Sequence, residues 1–274
     1  NDEYIGDYLM GKSKDLATRV GIDDNANATA ITIDSSENVG VGLTAPTAPI
    51  TIKSPTNAEA IHIVGRSDDI GQIKFFEADH TTILATIEAR NSFVNFGSTA
   101  NVPTKFMTNN NERVIINESG HVTKPHQPAF SAYSTGEFST TANSNDRIRN
   151  LNGTYVNAGN HYATSGGTAG RFTAPVAGNY LFGFQLLIGA IATTDDAIHA
   201  SFWKNGSLDI YGNTRYDGAG ANGNLGYSGY LPVIGVTMLP LAVNDYVELN
   251  LFATGSIAVH NSASWSRFYG YLLG

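Results

Sequence analysis

Tyr180-Leu181-Phe182-Gly183-Phe184 and Tyr246-Val247-Glu248-Leu249-Asn250-Leu251 decide the fold class. In both, apolar side chains recur at every second position or nearly so, which is the period of a strand with one face in a core. Similar runs lie on either side of them. Strands are expected over 129–133, 170–173, 179–191, 197–204, 207–211, 227–239, 246–252 and 265–273, separated by Gly, Asn, Asp and Pro. Lys204-Asn205-Gly206 marks a hairpin, because a type I′ turn needs positive φ at both central residues and Asn-Gly supplies it. About eight strands with no helical stretch between them point to a jelly roll or a related β-sandwich over 128–274.

The first half is built from shorter pieces. Ile31-Thr32-Ile33 and Ile50-Thr51-Ile52 alternate around a turn cluster, and 60–64, 73–76, 83–87 and 93–96 are further short strands. A motif recurs: Ile33, Asp34, Ser36 and Val39 align with Ile116, Asn117, Ser119 and Val122. The copies are too far apart for a solenoid rung. Only 7–20 could form a helix, with Leu9, Leu16 and Val20 sparsely spaced.

The halves differ in what they can bury. Residues 128–274 hold 11 of the 13 Tyr, 8 of the 13 Phe and both Trp, whereas 1–127 hold 16 of the 24 Asp and Glu. A boundary is therefore expected in the extended Lys124-Pro125-His126-Gln127-Pro128. Three segments follow: a connecting segment 1–29, a β-rich shaft 30–127 and a sandwich knob 128–274. Short strands with few large apolar residues struggle to offset the entropy of folding alone. Three chains sharing one narrow core would cover the edges that one chain leaves open.

Composition excludes several functions. There is no cysteine, so neither disulfides nor thiolate metal sites exist. The net charge is −8 with no basic patch, which argues against nucleic-acid binding. No apolar run is long enough for a helical membrane span. The start, Asn1-Asp2-Glu3-Tyr4, has neither the basic stretch nor the apolar region of a signal peptide.

Two resemblances sharpen this reading. Residues 31–46, Ile-Thr-Ile-Asp-Ser-Ser-Glu-Asn-Val-Gly-Val-Gly-Leu-Thr-Ala-Pro, resemble a recurrent element of bacteriophage tail fibre and related virion fibre proteins. So does 111–122, Asn-Glu-Arg-Val-Ile-Ile-Asn-Glu-Ser-Gly-His-Val, and 71–89 is similar to their mid-shaft strands. Glu37 stands where Gly is usual, and Leu43 where Gly or Thr is common. In the second half, five stretches fall in order: 128–133, 170–180, 204–206, 243–247 and 268–273. Their order and spacing resemble the globular head of the complement first-component recognition subunit, whose jelly roll is shared with tumour necrosis factor. That resemblance implies a compact homotrimer with the chain ends near its base. Phe130, Tyr133, Phe268 and Tyr271 would then pack in the core or at the threefold axis, with Phe172 and Tyr180 in the same set. The family's cysteine is absent, with Ala174 beside Pro175 where it would stand. Its collagen-like stalk is absent too, and a viral shaft takes that place.

Several constellations imitate chemistry. Residues 218–223 spell G-x-G-x-x-G, but no helix follows and a Gly-rich loop is expected. Residues 23–34 imitate a calcium loop, yet Ala28 replaces its Gly and Asp34 its final Glu, so a solvated turn is expected. Asp195, Asp196 and His199 are the candidate calcium ligands; the alternative is a loop of solvated acids. Glu77, Asp79 and His80 are expected at an exposed strand edge or turn. No motif nominates a catalytic residue, although two carboxylates would suffice for a glycosidase. Asp209, Tyr211, Asn213, Arg215, Tyr216 and Asp217 form the candidate receptor-binding set, since rings stack on sugar faces while amides and carboxylates take hydroxyls. Tyr227 and Tyr230 are expected in strands of the trimer core, and Trp203 and Trp265 in the sandwich core.

The sequence therefore describes an all-β, non-enzymatic, trimeric virion fibre, on a phage tail in preference to a head. Its shaft would meet other virion proteins through the N-terminal part, and its knob a host-surface glycan or protein. It needs no nucleic acid, no membrane insertion and no cofactor other than the candidate calcium. The alternatives are a decoration fibre, head fibre or connector whose knob only caps and trimerises, and a polysaccharide-degrading tailspike.

Overall fold

The computed structural model describes residues 21–23, 29–54, 57, 59–191, 197–217 and 229–273. The expected helix over 7–20, most of the calcium-like loop, Asp195, Asp196, the G-x-G-x-x-G and Tyr227 lie outside these. The chain forms two compact units, Asn1–Val102 and Pro103–Gly274. Among the described residues all regular structure is β apart from one 3-10 turn, Gly166–Thr168. None of their helices is long and apolar enough to cross a membrane.

The first unit carries two small sheets. In one, β1 (Gly21–Asp23), β2 (Thr29–Ile33), β3 (Val39–Val41) and β4 (Ile50–Ile52) pair in that order, with β3 and β4 parallel. The register aligns Ile31 with Val41 and Ile52, and Ile33 with Val39 and Ile50. The intervening residues Thr32, Gly40 and Thr51 align with one another. Side chains alternate between faces, so one face is aliphatic and the other polar. The second sheet is a meander of β5 (Gly71–Phe76), β6 (Ile83–Ala89) and β7 (Val94–Ser98). Ile73, Ile87 and Phe96 form one row across it, and Gln72, Glu88 and Asn95 the next. The side chains of Gln72 and Arg90 both donate to the Glu88 carboxylate on the polar side. Among the described residues of this unit the apolar side is left open: Phe96 is 67% exposed and Ile50 70%.

The second unit begins with a third amphipathic sheet: β8 (Thr104–Thr108), β9 (Asn111–Ile116) and β10 (Val122–Thr123). Thr104, Ile116 and Val122 share a row, with Phe106 opposite Val114 in the next row of that face.

The repeated motif proves to be one hairpin loop used twice. Asp34 Oδ1 accepts the backbone N–H groups of Ser36 and Asn38, at 2.8 and 2.9 Å. Asn117 Oδ1 accepts those of Ser119 and His121 in the same way, at 3.0 and 2.8 Å. The backbone bonds across the two loops match as well. A short polar side chain that satisfies its own turn explains Asp or Asn at this position. The loop needs a left-handed residue at its fourth position, where Gly120 has φ 82° and Glu37 has φ 63°. The Gly that the first copy lacks is therefore a conformational loss.

The rest of the unit is a two-sheet sandwich. Its strands are β11 (Ala129–Tyr133), β12 (Phe138–Ser139), β13 (Ser144–Arg147), β14 (Gly153–Ala158), β15 (Arg171–Thr173), β16 (Gly178–Ile191), β17 (Ala197–Lys204), β18 (Ser207–Asp217), β19 (Gly229–Leu241), β20 (Tyr246–Ala253), β21 (Ala258–Val259) and β22 (Arg267–Leu272). Sheet I runs β12-β21-β16-β22-β11-β14, with β19 also on β16; sheet II runs β13-β20-β17-β18, with β15 on β20. This is the expected jelly-roll β-sandwich. The strands that periodicity did not reveal, β12, β13, β14 and β21, are short or polar edge pieces that carry no alternation.

Aromatic rings fill the space between the sheets. Phe130 stacks on Tyr162 (centroids 4.5 Å apart) and on Phe172 (5.1 Å), and meets Phe268 edge-on. Tyr162 and Tyr180 are buried with their hydroxyls satisfied, donating to the carbonyls of Leu151 (2.6 Å) and Val176 (2.8 Å). Burial pushes the Tyr162 hydroxyl pKa well up, so it stays a neutral donor. Trp265 departs from expectation. It sits in the turn before β22, its N–H donating to Ser262 O, and is 53% exposed. Trp203 is half-buried, its indole N–H on Ser201 Oγ at 2.8 Å.

The left-handed loop position gives a stability prediction. Glu37→Gly should raise stability by about 0.5–1 kcal/mol, and Gly120→Ala should lower it by about 1 kcal/mol, since a non-Gly residue there costs roughly 1–2 kcal/mol. No atom lies within 4 Å of a Cβ at 120, so that loss is backbone strain alone. Denaturant unfolding of the intact chain measures both.

Candidate functional site

The sandwich presents two outward faces of different chemistry. On sheet I, one side of each strand enters the core, with Phe130, Phe182, Phe184 and Phe268 buried. The other side faces away in cross-strand rows. Ala129, Tyr271, Leu181 and Met238 form one row, and Ser131, Tyr269, Gly183 and Val236 the next. Tyr133, Arg267, Gln185 and Ile234 form a third. Met238 is 57% exposed and Val236 53%. Tyr269 lies flat over Gly183, where a Cβ would come within 2.3 Å of its ring. Glycine is needed there because the ring occupies the space a side chain would take. A shallow hollow lined by Val122, Lys124, Gln127, Ala129 and Tyr271 continues this face toward β10. There the Gln127 side chain donates to Leu272 O and pins the linker to the last strand. Phe130, Phe172, Tyr180 and Phe268 thus lie in the core, while Tyr133 and Tyr271 lie on this outward face.

The outward face of sheet II is polar and aromatic. Arg171, Glu248 and Trp203 share a row, as do Arg147, Asn250 and Ser201, and Asn145, Phe252 and His199. Glu248 is buried, and its Oε2 accepts from Arg147 Nη1 at 3.2 Å and from Arg171 Nε and Nη2, each at 3.1 Å. Arg171 also lies 3.7 Å over the Tyr246 ring.

The candidate receptor set lies on β18. Tyr211 and Arg215 oppose Ser201 and His199, and so border the polar face of sheet II. The Tyr211 ring meets His199 edge-on at 4.9 Å. Tyr216 points the other way, packs on the core and donates to Pro232 O at 2.9 Å. Asp209 is exposed at the bulge between the pairs of Phe202 and Trp203. Asn213 and Asp217 are placed on the strand by backbone alone. The structure brings Tyr211 and Arg215 to a shared face and turns Tyr216 toward the core, because residues four apart on a strand share a face and neighbours do not. Of the calcium candidates only His199 is described; it is buried, with the Phe252 ring stacked on it at 4.9 Å. Among the described residues no three His, Cys, Asp or Glu group to hold a metal. Asp79 serves its own turn, accepting from Thr81 and Thr82, which hold its pKa well below the usual carboxylate range. Tyr230 is exposed on β19 beside the His260 ring. Sequence reasoning missed Arg147, Arg171, Glu248 and Asn250. Alternation in 246–252 signalled a strand with a polar outer face, but not what would meet it.

The two packed sheets with an aromatic core between them define a jelly-roll sandwich. The family model for the C1q domain matches residues 129–273, and the chain belongs to that family. Domains of this family are generally non-enzymatic, and they typically form homotrimers. Similar solved structures include the globular domain of the zebrafish complement 1qA protein, 19% identical over 54% of this chain and 98% of that one, TM-score 0.36. The Eiger TNF from S. frugiperda is 12% identical over 54% and 93%, TM-score 0.37. Murine APRIL is 11% identical over 53% and 98%, TM-score 0.37. No curated protein matches the chain.

The turn that joins sheet II's central hairpin to the loop before β20 carries a pH prediction. Asp245 accepts from Asn205 Nδ2 (2.8 Å), Ala242 N–H (2.9 Å) and Lys204 Nζ (3.1 Å), with the Asn205 bond the largest cause holding its pKa down to about 2. A depressed carboxylate adds stability above its unfolded pKa, near 4, and loses it as pH falls through the folded value. Asp245→Asn should therefore cost stability at neutral pH and nothing below about pH 2. Thermal melts across that range check the window.

Proposed function

We propose that this chain is a structural virion fibre protein of a bacteriophage, a non-enzymatic homotrimer whose C1q-domain knob binds a receptor on the host surface. The observation that carries the reading is the uncovered outward face of sheet I, with Tyr269, Tyr271, Val236, Ile234 and Met238 in aligned rows. Apolar area of that kind on a stable sandwich marks an association surface. Two further copies of the chain cover it in a threefold arrangement. The three amphipathic sheets between residues 21 and 123 support the same count. Each has one polar face and one apolar face that its own unit does not cover, as the wall of a three-chain prism would. The repeated Asx-closed hairpin supports the fibre assignment by its likeness to virion fibre elements. The N-terminal part joins other virion proteins, on the tail in preference to the head.

In this arrangement sheet I is turned inward, and sheet II with Tyr211 and Arg215 is left to meet the host. Three sites on one rigid knob gain avidity by linkage, so each can be weak.

Val236→Lys combined with Met238→Lys should convert a trimer into a monomer, because it places charge in the apolar rows. Light scattering of the intact chain reads the mass, and a parent chain that is a stable monomer refutes the assembly. Saturable binding of the fluorescently labelled chain to host cells, reduced by Tyr211→Ala with Arg215→Ala, tests the receptor role. Trimeric chain that binds no cell at any concentration refutes that role and leaves a capping knob.

A further inference from the structure

The hollow at the foot of sheet I lies where the third small sheet joins the sandwich. Val122 and Lys124 line it from the end of that sheet, Gln127 from the linker, and Ala129 and Tyr271 from the first and last strands of the sandwich. Its volume is about 440 Å³, ample for one long side chain, since a water takes about 30 Å³ of liquid. Its walls are largely apolar, and the Val122 side chain and the Tyr271 ring are both exposed there in the single chain. The row that borders it starts with two small residues, Ala158 and Ala129, and runs on through Tyr271 and Leu181 to Met238. That row therefore has a low end at β14 and β11 and a tall, exposed end at β19. The two ends cannot meet within one chain. Strands β22 and β16 separate β11 from β19, which puts Ala129 and Met238 about 14 Å apart, at three strand spacings.

We infer that Met238 of a second copy of this chain fills the hollow. The inference rests on the homotrimer proposed above and names how its copies meet. A closed ring of three copies uses heterologous contacts, one flank of each copy against the opposite flank of the next. The chain enters β11 from the third small sheet and runs the length of sheet I, so the strands of this sheet follow the fibre direction. Rotation about an axis in that direction keeps every residue at its own height. The β19 end of a row on one copy then meets the β14–β11 end of the same row on the next, tall residues onto low ones. Met238 enters between Ala129 and Tyr271 of its neighbour, and Val236 lies against Val156 and Ser131, which share its row. Methionine suits the place, because its unbranched thioether adapts to an irregular hollow and makes favourable contacts with a ring. Val122 and Lys124 belong to the small sheet that precedes the knob. The contact therefore ties each knob to the foot of its neighbour's fibre sheet and locks the joint between the two parts.

The chain has no cysteine, so introduced thiols are the only ones. The intact chain with Ala129→Cys and Met238→Cys is treated with a two-carbon bis-methanethiosulfonate and run on a denaturing gel without reductant. Covalent dimers and trimers should form, because the two thiols of one chain, about 14 Å apart, are too distant to be joined to each other. Ala129→Cys with Ile234→Cys moves the second thiol four residues, about 14 Å, along the strand and should give at most about a tenth of the linked product. Without any cross-linker, Met238→Ala should raise the dissociation constant of the trimer by at least about thirtyfold, the usual lower bound for truncating a buried methionine, while Met238→Leu should leave it near the parent's. If light scattering shows a trimer but the 129–238 pair does not link, or links no better than the 129–234 pair, the inference falls and the trimer stands. A trimer that Met238→Ala does not weaken overturns the inference as well. A parent chain that is a stable monomer overturns both the inference and the assembly on which it rests.

Discussion

An apolar sheet face must be covered, and most of this molecule follows from where that requirement is met within one chain. Between the two sheets of the sandwich it is met fully. Phe130, Phe172, Phe182 and Phe268 lie ring against ring at centroid distances between 4.8 and 6.3 Å, with nothing larger than a few per cent of their surface exposed. Deleting one such ring typically costs 3–5 kcal/mol, which is a large part of any domain's stability. On the outward side of sheet I, and on one side of each small sheet in the first half, it is not met. These sheets have three or four strands of two to seven residues, each with an apolar face that needs a surface to pack on. The chain thus combines a sandwich that contains its own core with short sheets whose apolar side is exposed in the single chain.

The two faces of the sandwich solve different problems with the same backbone. Sheet I faces outward with Tyr, Val, Ile and Met, residues that gain from losing water. Sheet II faces outward with a carboxylate held between two arginines, an asparagine, a serine and an indole. Polar groups that are buried have to be paired, and most of these are: Glu248 by Arg147 and Arg171, Ser201 by Trp203. The exceptions, Asn250 Oδ1 and Arg147 Nε, belong to residues that face each other across the β13–β20 ladder. A sheet face that was only a solvated exterior would not bury Asn250 and Ser201 to this degree, so the long side chains of Arg147, Arg171 and Trp203 act as a polar lid over a polar floor.

The fold was legible because period-two alternation survives in long strands that are half in a core. The 179–191 and 246–252 stretches show it. The Asn205-Gly206 hairpin and the paired Asp34 and Asn117 loops were legible because turn chemistry is local: φ values of 52° and 79° at the first, and side-chain bonds to N–H groups two and four residues ahead at the others. Strands such as Ser144–Arg147 were not legible. An edge strand pairs through its backbone and asks little of its side chains. Trp265 was misplaced for a related reason, since a large ring next to a strand looks like core until the turn that precedes the strand is known.

The sequence by itself determined the all-β class, the change of character near residue 128, the repeated loop and the absence of thiol chemistry, because each depends on residue type and near-neighbour spacing. Only the tertiary structure decided which residues share a face. Arg147, Arg171 and Glu248 lie as much as 101 residues apart, and meet because β13 and β15 both pair with β20. Tyr211 and Tyr216 take opposite sides of one strand by simple alternation, but only the pairing with β17 decides that Tyr216 is the one facing the core. The composition of a face is set by long-range register, and register is fixed by the packing of the whole sandwich rather than by any local run of residues.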